Sequence, residues 1–142
     1  ATGVRLHLIE PLGFLLNDKM VKRAGLDYWD LLEVHVHPDF ASVERMLKGY
    51  HFYYNTTKAV KSYTEVSFRE DDVLVFGKET NMLLAHKEDC IRIPMIEEAR
   101  SLNLSNAVAI VALEALRQTG FPHLLRESGR LFKGGRSTHE YV

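Results

Sequence analysis

Short apolar runs alternate with helical segments along the chain, and this alternation restricts the fold more than any other feature. Strand-like runs occur at residues 4–9, 31–37, 51–57, 73–77 and 90–94. Apolar residues have helical spacing over 39–49, and residues 105–119 form the longest helical segment. Strands that alternate with helices are typical of an α/β domain. The sequence therefore predicts an α/β fold with a mainly parallel sheet and flanking helices.

Length and composition are those of an ordinary globular domain. The chain has 142 residues, of which 46% are hydrophobic and 26% charged, and its net charge is −1. Because the charge is close to neutral, any contact with nucleic acid depends on local patches. Apolar runs fall short of the ~20 residues of a membrane span, and the first residues lack the pattern of a signal peptide. We therefore expect a cytoplasmic protein without a membrane partner.

The single cysteine, Cys90, lies in the apolar run CIRIP and has no partner for a disulfide. That usage fits a reducing compartment. A lone cysteine among apolar residues is typically a small core residue. We predict that Cys90 packs in the core and is not a nucleophile.

The helix over 105–119 is apolar all round, with Glu114 interrupting the apolar run. A surface helix carries one apolar stripe, whereas a helix that is apolar on every side is buried on every side. In a domain of this size the sheet covers only one face of the helix. We therefore expect a homodimer packed through this helix. Coverage by residues 126–142, interpreted as a peripheral C-terminal tail, is the alternative.

Four small polar residues precede this helix in the segment SLNLSN, residues 101–106. The unpaired N–H groups of a helix start require one or two capping side chains. Capping accounts for Ser105 and Asn106. It leaves Ser101 and Asn103 for another role.

Candidate binding residues follow several of the predicted strands. Asn55 and Thr56 follow the aromatic run FYY, and Gly77 ends the run VLVFG, where a missing Cβ lets a ligand approach the backbone. Ligands of parallel sheets bind at the carboxyl ends of the strands, so we expect a pocket there. Its candidate apolar wall consists of Ile93, Met95, Leu102 and Leu104.

Several segments resemble, in this order, the SpoU-type (SPOUT-class) RNA methyltransferases. They are LHLIEPLGF, NDKMVKRAGLDYW, FGKET, IRIPM and SLNLSNAVAIV. The resemblance covers residues 1–125 as one domain. It implies a deep C-terminal trefoil knot, an obligate dimer and S-adenosylmethionine as methyl donor. The implied activity is methylation of the wobble ribose 2′-hydroxyl in the tRNA anticodon.

The resemblance also implies roles for individual residues. The segment before the last helix folds over the donor and touches the ribose, so Ser101 and Asn103 are candidate catalytic residues. Glu79 matches a glutamate beside donor and ribose; a carboxylate stabilised by a helix dipole is the alternative. The candidate donor-binding residues are Asn55, Thr56, Gly77, Ile93, Met95, Ser101, Leu102, Leu104, Ser105 and Asn106.

Basic residues in two places are candidates for contact with RNA phosphates. Lys19, Lys22 and Arg23 precede two aromatic residues, a grouping that suits phosphate contact beside a stacking surface. A solvated helix face is the alternative. Arg100, just before the SLNLSN segment, is the second candidate.

A metal site is not expected. His35 and His37 share one strand face, a spacing that can bind a metal. Because no third ligand is evident, we predict a structural or surface role for both.

Two features depart from the family pattern. Family members begin with a further strand and an Asn-x-Gly-Asn-x-x-Arg motif whose arginine activates the ribose hydroxyl, and the residues after Ala1 resemble the stretch that follows it. FGKET is not followed by the usual Gly-Leu-Pro loop. We expect the encoded protein to carry this strand and motif ahead of Ala1. The alternatives are a degenerate, non-catalytic member that binds RNA or an adenosyl ligand, and an unrelated nucleotide-binding domain, which SLNLSN disfavours.

Overall fold

The computed structural model describes residues 2–10, 32–77 and 86–126. The chain divides into two compact units, Ala1–Gly49 and Tyr50–Val142. Each unit has its own parallel sheet within the described residues. The predicted tail lies outside the described residues beyond Arg126, and the knot stays a prediction.

The first unit contains a parallel pair of strands followed by a short helix. Strand β1 (Leu6–Ile9) pairs with β2 (Val34–His37), with Leu6 opposite Val34. Helix α1 (Phe40–Met46) begins after Asp39, whose carboxylate accepts a hydrogen bond from the Ser42 N–H at 2.8 Å. Val43 is the buried residue of this helix. Both predicted strands and the helix are confirmed, with shorter bounds.

The second unit is built on a four-stranded sheet. Its strands are β3 (Phe52–Asn55), β4 (Lys61–Ser62), β5 (Val73–Val75) and β6 (Cys90–Arg92). They lie in the order β4-β6-β3-β5, and every pair is parallel, which confirms the predicted parallel sheet. Short 3-10 turns span Tyr63–Glu65 and Lys87–Asp89. Strand β4 was not predicted, because its two residues carry no apolar alternation.

Helix α2 (Leu104–Gln118) packs against this sheet. Val111 of the helix and Ile91 of β6 are both fully buried and belong to one core cluster with Tyr53, Val66 and Phe68. At the end of the helix, Gln118 fixes the loop before β5. Its Oε1 accepts from the Phe68 N–H at 2.7 Å and its Nε2 donates to the Val66 carbonyl at 3.0 Å.

The outer side of α2 is exposed in the single chain. Ala107 and Val111 are the buried residues of this helix, while Leu113, on the opposite side of the helix from Val111, is 49% exposed. The single chain therefore buries one side of this helix. Burial of the other side by a second chain stays a prediction. Among the described residues, no helix is both long and apolar enough for a bilayer span.

Candidate functional site

A cavity of about 410 Å³ lies where three neighbouring parallel strands end. Strand β3 ends at Asn55, while Gly77 and Ile93 follow β5 and β6 closely. The first turns of α2 and the segment before it form the other wall. This volume falls within the roughly 300–1,000 Å³ typical of small-molecule sites. The described lining is Asn55, Thr56, Thr57, Phe76, Gly77, Ile93, Met95, Ser101, Leu102, Leu104 and Ala107.

Most of the predicted donor-binding residues meet at this one cavity, although they come from separate segments of the chain. Ser105 and Asn106 are not among its lining residues. Sequence reasoning missed Phe76 and Ala107. Phe76 directly precedes Gly77, and Ala107 follows Leu104 by one helical turn, so adjacency and helical spacing were the available signals. That these residues bind a methyl donor stays a prediction.

Asn103 is the capping residue of α2. Its Oδ1 accepts hydrogen bonds from the N–H of Ser105 at 2.9 Å and of Asn106 at 3.4 Å, and also from the Ser105 hydroxyl. The expectation that the side chains of Ser105 and Asn106 provide the cap, leaving Asn103 spare, was wrong. Of the four small polar residues in SLNLSN, Ser101 is the one that lines the cavity.

Asn55 presents an unused hydrogen-bond acceptor at the end of β3. Its Oδ1 is buried and accepts no hydrogen bond from the residues that the structure describes. An unpaired buried acceptor costs about 1–3 kcal/mol. Asn55 also lines the cavity. A ligand that offers an N–H or O–H group would satisfy this oxygen.

Gly77 keeps part of the cavity open. Its φ of +125° belongs to the region that favours glycine. A Cβ built at this position meets no atom within 4 Å. Any larger side chain would therefore enter space that is free for a ligand.

The cavity as described can bind and orient a molecule, but it contains no proton acceptor. None of its described lining residues is ionisable. Four of the predicted site residues, Lys19, Lys22, Arg23 and Glu79, lie outside the described residues. Arg100 is exposed and directly precedes Ser101.

A cluster of histidines lies on the sheet of the first unit. The His7 ring stacks on that of His35 with centroids 5.0 Å apart, and its Nδ1 is 3.0 Å from Nε2 of His37. His35 is itself hydrogen-bonded to Glu33 at 3.0 Å. Burial, followed by the neighbouring His35 and His37, lowers the pKa of His7. Within the described ranges, no group of three or more His, Cys, Asp or Glu residues has the arrangement of a metal site.

The chain belongs to the SpoU rRNA Methylase family, whose model matches residues 1–113. The family resemblance and the fold class predicted from the sequence are therefore confirmed. A structure from Bacillus anthracis superposes with a TM-score of 0.80 at 43% identity, covering 89% of this chain and 86% of that one.

Two further relatives carry functional names. The chain is 43% identical over 127 residues to a tRNA (cytidine(34)-2′-O)-methyltransferase of Escherichia coli K12, covering 85% of this chain and 81% of the relative. A solved structure that concerns 2′-OH methylation of C/U34 on tRNA matches with a TM-score of 0.72 at 42% identity, covering 82% of this chain and 79% of that one.

Proposed function

We propose that this protein is a tRNA methyltransferase that transfers a methyl group from S-adenosylmethionine to the 2′-hydroxyl of the wobble ribose. The observation that carries the proposal is the single cavity at the carboxyl ends of β3, β5 and β6, which gathers most of the predicted donor-binding residues. The relatives named for methylation at position 34 of tRNA support the substrate. A cytoplasmic location follows from that substrate.

The lining fits an adenosyl ligand in its mixture of polar and apolar groups. S-adenosylmethionine supplies a methyl group activated by a positively charged sulfonium. The apolar side chains of Phe76, Ile93 and Leu104 suit the faces of an adenine ring. Asn55 Oδ1 accepts a hydrogen bond from the ligand, and Gly77 leaves room beside it.

Positioning supplies most of the rate in this proposal, because a methyl transfer needs the acceptor oxygen in line with the donor. Ser101 borders the cavity and orients the ribose, while Asn103 acts indirectly by fixing the start of α2. The ribose hydroxyl must also lose a proton. The described lining offers no base, and the resemblance implies Glu79, which lies outside the described residues, for that step.

Phosphate contacts hold the anticodon in this proposal. Arg100 is exposed at the edge of the segment that carries Ser101 and Leu102. Lys19, Lys22 and Arg23 provide the second group of cations. Each such contact would make tRNA affinity depend on salt concentration.

Site-mapped methylation tests the proposed function. The full protein is incubated with labelled S-adenosylmethionine and a tRNA transcript that has cytidine at position 34, and the labelled nucleotide is located by digestion. We expect label at the wobble ribose, and none in a transcript already 2′-O-methylated there. Label at another nucleotide, or none in either RNA, would contradict the proposal.

We also propose that the exposed side of α2 packs against a second copy of the chain. Leu113 is 49% exposed on this side, and an apolar helix face suits an isologous interface. The prediction is that Leu113→Asp converts a dimer into a folded monomer, since a carboxylate buried in the interface would be unpaired.

Sedimentation together with circular dichroism measures this effect. Val60→Asp is the matched control, because Val60 is 91% exposed and lies outside α2. We expect the control to remain a dimer. A wild-type protein that sediments as a monomer at micromolar concentration would refute the interface.

A further inference from the structure

A second cavity, of about 740 Å³, lies beside β4 and the start of β6. Thr56 lines both this cavity and the one at the strand ends, so the two are neighbours. The described lining is Thr56, Lys58, Ala59, Val60, Lys61, Glu65, Lys87, Glu88 and Cys90. Nothing in the proposed methyl transfer uses its three lysines.

The charges of this cavity favour an anion. The ammonium group of Lys61 donates to the backbone carbonyl of Glu88 at 3.3 Å, which leaves its charge uncompensated by that contact. Of the two glutamates, Glu65 is occupied in the adjacent turn, where its Oε2 accepts from the Ser62 N–H at 2.6 Å. The three lysines outnumber the two glutamates of the described lining, which gives this lining a formal charge of +1.

Neutral apolar groups form the rest of the wall. Ala59 and Cys90 are buried, with relative exposures of 8% and 5%, and Val60 is exposed at the rim. Burial raises the pKa of the Cys90 thiol, with Asp89 adding to the effect, and the thiol donates to the His86 carbonyl at 3.3 Å. The prediction that Cys90 is a small buried residue is confirmed, and it forms part of the wall of this cavity. Cations above an apolar surface suit a nucleotide, which combines a charged phosphate with a flat base.

We propose that this cavity holds a segment of the RNA strand adjoining the methylated nucleotide, with Lys61 and Lys87 contacting its phosphates. The inference rests on the proposed function and extends it, because it adds a contact surface that the family motifs do not contain. Lys61 is anchored on β4, and Lys87 lies in the turn that leads into β6. Two cations held by the sheet would fix the path of the strand towards the neighbouring cavity.

The test is the salt dependence of tRNA binding, measured by fluorescence polarisation with a labelled transcript that has cytidine at position 34. We expect the double variant Lys61→Gln/Lys87→Gln to raise Kd roughly tenfold. The slope of log K against log salt should become shallower by about 1.4, since each phosphate contact to a single strand contributes about 0.7. The affinity for S-adenosylhomocysteine should stay at the wild-type value.

Two controls separate charge from structure. Lys61→Arg/Lys87→Arg keeps both charges and should retain the wild-type slope. Lys48→Gln removes an exposed lysine of the first unit and should leave Kd within about twofold, as for a surface substitution away from the site.

Each contrary result has a distinct meaning. Wild-type Kd and slope in the double glutamine variant would overturn the lysine site while leaving the methyltransferase proposal intact. If the double arginine variant loses as much tRNA affinity as the double glutamine variant, the charge argument is overturned. If the glutamine substitutions weaken the binding of inorganic pyrophosphate but not the binding of tRNA, the cavity is assigned to a small phosphate ligand instead. A wild-type protein that neither binds nor methylates tRNA would overturn the proposed function itself.

Discussion

Gly77→Val should abolish measurable binding of S-adenosylmethionine and S-adenosylhomocysteine. Gly77 lines the cavity, and its missing Cβ leaves open space there. A valine side chain would occupy that space in place of the ligand. We expect affinity to fall at least about 100-fold, equivalent to about 2.7 kcal/mol. Isothermal titration calorimetry with S-adenosylhomocysteine measures the effect.

Backbone strain is the competing explanation for such a loss, because any side chain at a φ of +125° is strained. Gly120→Val is the matched control. Gly120 has a φ of +84° and open space around it, yet it does not line the cavity. Both variants should lower the melting temperature, and only Gly77→Val should lose the ligand. Unchanged affinity in Gly77→Val would show that the ligand does not occupy this cavity.

Much of the second unit could be predicted from sequence because three of its four strands lie in apolar or aromatic runs. Asn55, Gly77 and Ile93 come from three such runs. The rule that parallel strands place their carboxyl ends at one edge was enough to bring them together. The structure confirms that these three residues line one cavity. The identity of the ligand stays a proposal.

Features that depend on strand register could not be predicted. His7 meets His35 because β1 pairs with β2 in a register that places these two residues opposite each other. Similarly, Lys61 and Lys87 border one cavity because β4, which has only two residues, pairs with β6. A pattern read along one strand contains no information on which residue of another strand lies beside it.

The role of Asn103 was misjudged for a local reason. Several polar residues in a row can each cap a helix, and the choice among them depends on where the helix begins. The helix begins at Leu104, one residue earlier than predicted, so Asn103 occupies the capping position. Because the capping residue directly precedes the first helical residue, a helix that begins at Leu104 is capped by Asn103.

Asn55→Leu should change stability and ligand affinity in opposite directions. Leucine has nearly the same shape as asparagine but lacks the oxygen that is buried without a hydrogen-bond partner among the described residues. Removing an unpaired acceptor should raise the free energy of unfolding by about 1 kcal/mol. If that oxygen accepts a hydrogen bond from the adenosyl ligand, affinity for S-adenosylhomocysteine should fall at least about tenfold, or 1.4 kcal/mol.

Urea denaturation and calorimetry on the same preparation measure the two effects. Asn103→Ala is the comparison for stability, because its side chain caps α2 and its loss should lower the free energy of unfolding by about 1 kcal/mol. Two asparagines within one unit should therefore give stability changes of opposite sign. A leucine variant that is more stable and binds the ligand more weakly would show that Asn55 serves ligand binding at a cost in stability. A leucine variant that is less stable and binds as tightly as the wild type would show that Asn55 serves the fold and not the ligand.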